Sequence, residues 1–177
     1  TPDDSDTNNT YVVTVRAPDT NSNTTDQTVT VTVTDVDEGY RYWRINVDTT
    51  SLPVNSTNMA EMEWRIVAAG ADQTSPGGGS ITVSGTLAGT PGAMVDNDAG
   101  TTWHSSVSTN PALWRYDFGS NKSIVQVTIQ AHPSNPAYSP TAFTIQRSSD
   151  DSAWTTEWTN TSPATWTAGE IRTFTKP

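Results

Sequence analysis

The sequence contains no cysteine. Disulfides and thiolate metal sites are therefore excluded, and the redox compartment is left open. Positive charge is scarce. Nine Lys and Arg face nineteen Asp and Glu, for a formal net charge of −10, and the lysines are Lys122 and Lys176 alone. No basic stripe is available to neutralise phosphates, so a nucleic-acid partner is excluded. A divalent cation is the more natural partner for such a chain. No run of about 18 apolar residues occurs, so no membrane insertion by a helix is expected. There is no initiator Met and no signal-peptide pattern, and the opening reads as the continuation of a longer polypeptide. The two histidines are His104 and His132, and neither G-x-S-x-G nor H-E-x-x-H occurs. No deep groove for a glycosidase carboxylate pair is implied. The chain therefore reads as non-enzymatic.

What is present is Thr, Ser and Asn in abundance, with hydrophobic residues at only 33%. Seven Trp and five Tyr compensate, because each buries a large area, so a core is attainable if it is aromatic-rich. The acidity is uneven. Residues 1–38 hold seven Asp and one Glu against a single Arg, whereas the remainder is closer to balance.

Period-two alternation dominates the chain. "YVVTVRA" places Tyr11, Val13, Val15 and Ala17 on one face, and Val29, Val31 and Val33 share a face across "TVTVTVT". The polar stretch "PDTNSNTTDQ" joins them, which predicts a hairpin with one apolar face. "YRYWRINV" puts Trp43, Ile45 and Val47 opposite Tyr42, Arg44 and Asn46. "NMAEMEWRIV" puts Met62, Trp64 and Ile66 opposite Glu61, Glu63 and Arg65. Further strands are expected at 114–118, 124–130, 143–148, 154–158 and 171–175, separated by loops rich in Gly, Pro, Ser and Asn. Many short strands and no clear helix predict an all-β fold, a β-sandwich.

The stretch "YVVTVRAPD…TDQTVTVTVTDVDE" resembles the last two strands of a cadherin-like repeat, a calcium-dependent extracellular sandwich. The resemblance covers about residues 10–38. It implies that Asp19, Asp35, Asp37 and Glu38 contribute to an inter-repeat Ca²⁺ site; read from the residues alone, the same carboxylates could form a solvated linker.

The most specific segment is "AMVDNDAGTTWHSS", Ala93 to Ser106. Asp96, Asp98 and Thr101 crowd oxygen donors into a tight Asn/Gly loop, a pattern that suits Ca²⁺. "LWRYDFG", "IVQVTI" and "PTAFTIQRSSDDSAWT" follow in order. Together these resemble the discoidin domain, also called the coagulation-factor type C domain, and the related galactose-binding carbohydrate modules. That family's pattern runs A-x-D-G-D-x-x-T-x-W, then W-x-x-x-D-F/L-G, then S-x-D-G-x-W. Asn97 and Ser152 stand where the pattern has glycine. The resemblance spans about residues 40–175 and implies a jelly-roll sandwich of about eight strands. The family's customary last two strands match "YRYWRINV" and "NMAEMEWRI", which here come first, so the domain resembles a circular permutant. Permutation is physically cheap where termini lie close together.

By this resemblance Glu61, Asp96, Asp98 and Thr101, with neighbouring carbonyls including that of Ala93, form a structural Ca²⁺ site. Trp103, Trp114 and Trp154 match core positions. Ligands in such modules sit on loops at one end of the sandwich. Candidate contacts are His104, Asn110, His132, Asn135, Tyr138 and Trp166, since sugars need an aromatic face and a few polar groups. The expected organisation is the closing hairpin of one module over residues 1–38 and a permuted discoidin-like sandwich over 39–177. The expected role is a Ca²⁺-stabilised adhesion or glycan-binding module of a larger bacterial surface protein or virion fibre or tail. Neighbouring subunits of a fibre or filament are a further class of partner. An assembly module that binds no sugar, or an accessory module of a secreted polysaccharide-degrading enzyme, are the alternatives.

Overall fold

The computed structural model describes residues 10–32, 39–50, 56–74, 78–106, 111–161 and 165–177. Contacts divide the chain into two compact units, Thr1–Asp37 and Glu38–Pro177. Val33, Asp35, Asp37, Glu38 and Asn110 lie outside the described residues.

In the first unit β1 (Thr10–Pro18) pairs antiparallel with β2 (Thr24–Thr32). Val13 faces Val29 across the ladder, and Val15 faces Gln27. Pairing runs on to Pro18 and Thr24, so much of the stretch expected to be loop is strand. Apolar alternation stops earlier than the ladder because polar residues occupy both faces near the turn. The turn is closed by Asp19, whose carboxylate accepts from the Asn23 side chain at 3.0 Å and from the amides of Asn21 (2.8 Å) and Asn23 (2.9 Å). Those donors hold Asp19 below the ordinary carboxylate range. Arg16 donates to both oxygens of Asp26, at 2.7 and 2.8 Å, but the pair is exposed and adds little stability.

The second unit is a sandwich of two five-stranded sheets. Its strands are β3 (Tyr40–Thr50), β4 (Asn58–Arg65), β5 (Ser80–Val83), β6 (Ala88–Gly89), β7 (Trp103–His104), β8 (Ala112–Lys122), β9 (Gln126–Ala131), β10 (Pro140–Ser148), β11 (Thr155–Thr161) and β12 (Ile171–Thr175). One sheet has the order β11-β10-β3-β8-β5 and the other β12-β9-β4-β7-β6. The strands met first in this unit, β3 and β4, thus occupy the middle of their sheets.

Alternation explains the core. β3 sends Trp43, Ile45 and Val47 inward, β4 sends Met62 and Trp64, β8 sends Trp114 and Tyr116, and β9 sends Val127 and Ile129. Trp64 stacks on Trp114 with centroids 6.3 Å apart, and Trp114 stacks on Tyr116 at 5.6 Å. A few wide rings thus fill the volume that a chain low in aliphatic residues leaves. Two expectations are corrected. Ile66 is 40% exposed, because β4 ends at Arg65. Trp154 is only half-buried; it lies under the Arg44 guanidinium at 4.1 Å rather than in the core. The left-handed residue in "SDDSAW" is Asp151 (φ 62), one place before the Ser152 that stands in for glycine.

Both ends of this unit reach the same turn. Gly39 sits against Lys122 and Ser123, and Lys176 donates its amide to the Val125 carbonyl at 2.8 Å. Gly39 has φ +70, and a Cβ there would come within 2.5 Å of the Lys122 carbonyl carbon. Only glycine fits that approach.

Candidate functional site

Two sites emerge, and β4 supports both. The first is built where Glu61 meets the loop Asp96–Thr101. Glu61 lies just beyond an irregularity in the β4–β9 register and is only 8% exposed. Its Oε1 accepts the Asp98 amide at 2.7 Å. The loop is held from within. Asp96 accepts from the Asp98 amide at 3.0 Å and from the Thr101 hydroxyl at 2.8 Å, and the Asp98 carboxylate accepts the Gly100 amide at 2.9 Å. Asn97 adopts φ 60, the left-handed region, which explains glycine at that place in the discoidin pattern and the tolerance for Asn here. Residues 61 and 96–101 are thus brought together across a wide sequence gap.

Electrostatics single out the Glu61–Asp96 pair. Glu61 Oε2 is buried and has no hydrogen-bond donor among the described residues. Burial first, then contact with Asp96, push Glu61 up to about 8. Burial would also raise Asp96, but hydrogen bonds led by Thr101 and Glu61 bring it below its ordinary value. Two carboxyl groups so close need a proton or a cation between them. An orphaned buried oxygen beside a second carboxylate fits a hard cation. Among the described residues no group of three or more His, Cys, Asp or Glu side chains is arranged to hold a metal. Asp98 turns its carboxylate to the loop amides instead, so a cation would draw on Glu61, Asp96 and main-chain oxygens.

The second site lies at one end of the sandwich. His104, at the end of β7, has its ring 5.1 Å from that of Tyr138, edge to face. Tyr138 closes a 3₁₀ turn, Pro136–Tyr138, anchored by the Thr57 hydroxyl donating to its carbonyl at 3.0 Å. The Ser56 hydroxyl donates to the Ser105 carbonyl at 3.1 Å and lies 2.7 Å from His104 Nε2. With the hydroxyl proton spent on Ser105, His104 Nε2 must be the N–H donor to Ser56, which leaves Nδ1 an acceptor. His132 shows the opposite arrangement. Its Nδ1 accepts the amides of Ser134 (2.9 Å) and Asn135 (3.0 Å), so its proton sits on Nε2. Burial, and for His104 also the neighbouring His132, hold both rings below the usual histidine value and therefore neutral. One imidazole acceptor, one imidazole donor and a half-buried phenol ring converge, with Asn135 exposed beside them.

The structure thus gathers four of the expected loop residues: His104, His132, Asn135 and Tyr138. Trp166 is corrected. It is 5% exposed, its indole N–H donates to the Pro140 carbonyl at 2.8 Å, and Arg172 covers it at 4.0 Å. A loop tryptophan folded back into the core offers no face to a ligand. Ser56 was not foreseen, because a lone serine in a polar loop carries no sequence signal. Arg147 pairs with Glu157 and lies over the Tyr40 ring at 3.8 Å, as a strand arginine beside a carboxylate should.

This all-β sandwich, with its aromatic core and histidine-bearing loop end, has the architecture of a galactose-binding-like jelly roll. Residues 93–176 match the family model described as F5/F8 type C, NedA-like, galactose-binding domain. No curated protein and no solved structure matches the chain. The matched segment carries the Asp96–Thr101 loop, both histidines and Tyr138. Among the described residues no helix is long and apolar enough to cross a membrane.

Proposed function

We propose that the chain is a non-catalytic, Ca²⁺-stabilised glycan-binding and adhesion module of a larger bacterial surface protein or virion fibre or tail. The observation that carries this reading is the packing of His104 against Tyr138, with His132 as a neighbour, in a sandwich whose residues 93–176 match a galactose-binding family model. A sugar ring would lay its apolar face on Tyr138. Its hydroxyls would donate to His104 Nδ1 and accept from His132 Nε2. The Pro-stiffened turn at 136–138 lowers the ordering cost of binding.

Ca²⁺ would be held by Glu61 and Asp96 with loop carbonyls, and when bound it would neutralise the buried carboxylate pair. Thr101 positions Asp96, and Asp98 shapes the loop. The role is structural, tying β4 to the loop. We also read the sandwich as a circular permutant. Support comes from the central placement of β3 and β4 and from the meeting of both ends at the turn 122–125. The hairpin of residues 10–32 is read as the close of a cadherin-like repeat, with Asp19, Asp35, Asp37 and Glu38 as that repeat's cation ligands. Asp19 already serves its own turn, which favours the downstream carboxylates of that set.

A glycan array probed with and without a chelator tests the reading. Binding to galactose-type or other neutral glycans is expected, and Tyr138→Ala should abolish it while leaving the fold intact. Silence across the array with a folded, Ca²⁺-loaded chain would refute the glycan role.

A further inference from the structure

The outward face of the β12-β9-β4 half of the second sheet is concave. It holds a groove of about 580 Å³, lined by Glu61, Glu63, Arg65, Gln126, Thr128 and Gln130, with Ile171 and Thr173 at its far wall. Such a volume is in the range of ligand-binding clefts. Register explains its composition. Glu61, Gln130 and Ile171 form one rung across three strands; Glu63, Thr128 and Thr173 form the next; Arg65, Gln126 and Thr175 form the third. Alternate residues of each strand face outward, while Met62, Trp64, Val127 and Ile129 between them fill the core. The groove extends about 13 Å along the strands, the reach of four residues.

The chemistry of the rungs selects the occupant. Each nitrogen of Arg65 makes a contact within the fold: Nε donates to the Gly70 carbonyl at 2.7 Å, Nη1 to the Thr128 hydroxyl and Nη2 to Glu63. The Arg65 charge is already met by Glu63, so an anion would find no uncompensated positive charge in the groove. The groove is lined by Glu63, by Gln130, whose amide donates to the Gly169 carbonyl at 3.3 Å, by the Thr128 and Thr173 hydroxyls, 3.3 Å apart, and by the 60%-exposed side chain of Ile171. Alternating hydroxyl-scale donors and acceptors next to an exposed apolar methyl surface match a sugar chain. We propose that this sheet face is a second binding site, separate from the loop end, for a neutral oligosaccharide chain lying along the strands, and that it rejects sialylated and uronic-acid glycans.

The test is an amide-shift titration of the ¹⁵N-labelled full chain in Ca²⁺. The probes are cellohexaose, mannohexaose and xylohexaose, with sialyllactose and a galacturonate oligomer as acidic counterparts. At least one neutral hexasaccharide should move amides of 126–130 and 171–175, and should still do so in Tyr138→Ala. The Glu63→Ala/Gln130→Ala double variant, checked for an unchanged melting temperature, should weaken those shifts by about tenfold or more. Should the double variant fail to fold, the wild-type map decides alone. Shifts confined to residues 56–57, 104 and 132–138, no shifts at millimolar neutral sugar, or stronger binding of the acidic probes would each overturn the proposal. Because the loop-end residues report separately, a failed second site is distinguishable from a failed loop-end reading.

Discussion

Glu61 is held well above the ordinary carboxylate range, and its behaviour with pH follows from the sign of that shift. Its folded-state value of about 8 stands above the ordinary 4.5, so the folded chain holds a proton that the unfolded chain releases. Without a cation, stability is fully present below 4.5 and is lost as pH rises toward 8. In EDTA the melting temperature should therefore fall across that window, and Glu61→Gln should flatten the fall. A bound Ca²⁺ would replace the proton, so its stabilisation should grow over the same range. At neutral pH, saturating Ca²⁺ should raise the melting temperature by on the order of 5–10 °C. That rise should vanish in Glu61→Ala and Asp96→Ala. Calorimetry with and without chelator reads all of these, and equal curves for wild type and Asp96→Ala would exclude the cation. Asn97 offers a separate backbone check. Asn97→Gly should leave urea stability within about 0.5 kcal/mol, whereas Asn97→Val should cost about 1–2 kcal/mol at φ 60.

At the level of elements, the strands that alternate strongly were legible. β3, β4, β8 and β9 place their inward residues as the two-residue period requires, because one face of each must enter the core. Periodicity could not reveal the two-residue strands β6 and β7, which are too short to repeat anything. Nor could it tell where a loop aromatic goes. Trp166 has polar neighbours on both sides in sequence, yet its indole N–H finds the Pro140 carbonyl and it turns inward. The Asp96–Thr101 loop was legible through its crowding of oxygen donors, and Glu61 only through the discoidin resemblance. The sheet-face groove was invisible, since its rungs draw on three strands far apart in the chain and each contributes ordinary polar residues. At the start of β3, Gly39→Ala should cost at least about 2 kcal/mol in chemical denaturation, because it combines an unfavourable φ with backbone overlap at Lys122. A cost under about 0.5 kcal/mol would mean that Gly39 and Lys122 are not in that contact.

At the scale of the sandwich, strand order and fold should be separable. Because Gly39 and Lys176 both adjoin the turn 122–125, a short linker should join residue 177 to residue 39. A chain opened at the exposed Ile66–Val67 and so rejoined should fold with the same near-ultraviolet spectrum and Ca²⁺ response. It would then carry its strands in the customary discoidin order. Loss of cooperative melting in that permutant would argue that the present order is needed for folding, against a simple rearrangement.

The shared turn at 122–125 also decides how this unit carries load. Tension applied at residues 39 and 177 enters and leaves at one pole. It meets Tyr40 paired to Lys122 on one sheet and Thr175 paired to Gln126 on the other, each the first rung of its ladder. Ladders pulled from their first rung open one bond at a time, like a zip, whereas ladders pulled lengthwise break together. Hung from a stretched filament, the sandwich would yield early and lengthen, acting as a shock absorber rather than a rivet.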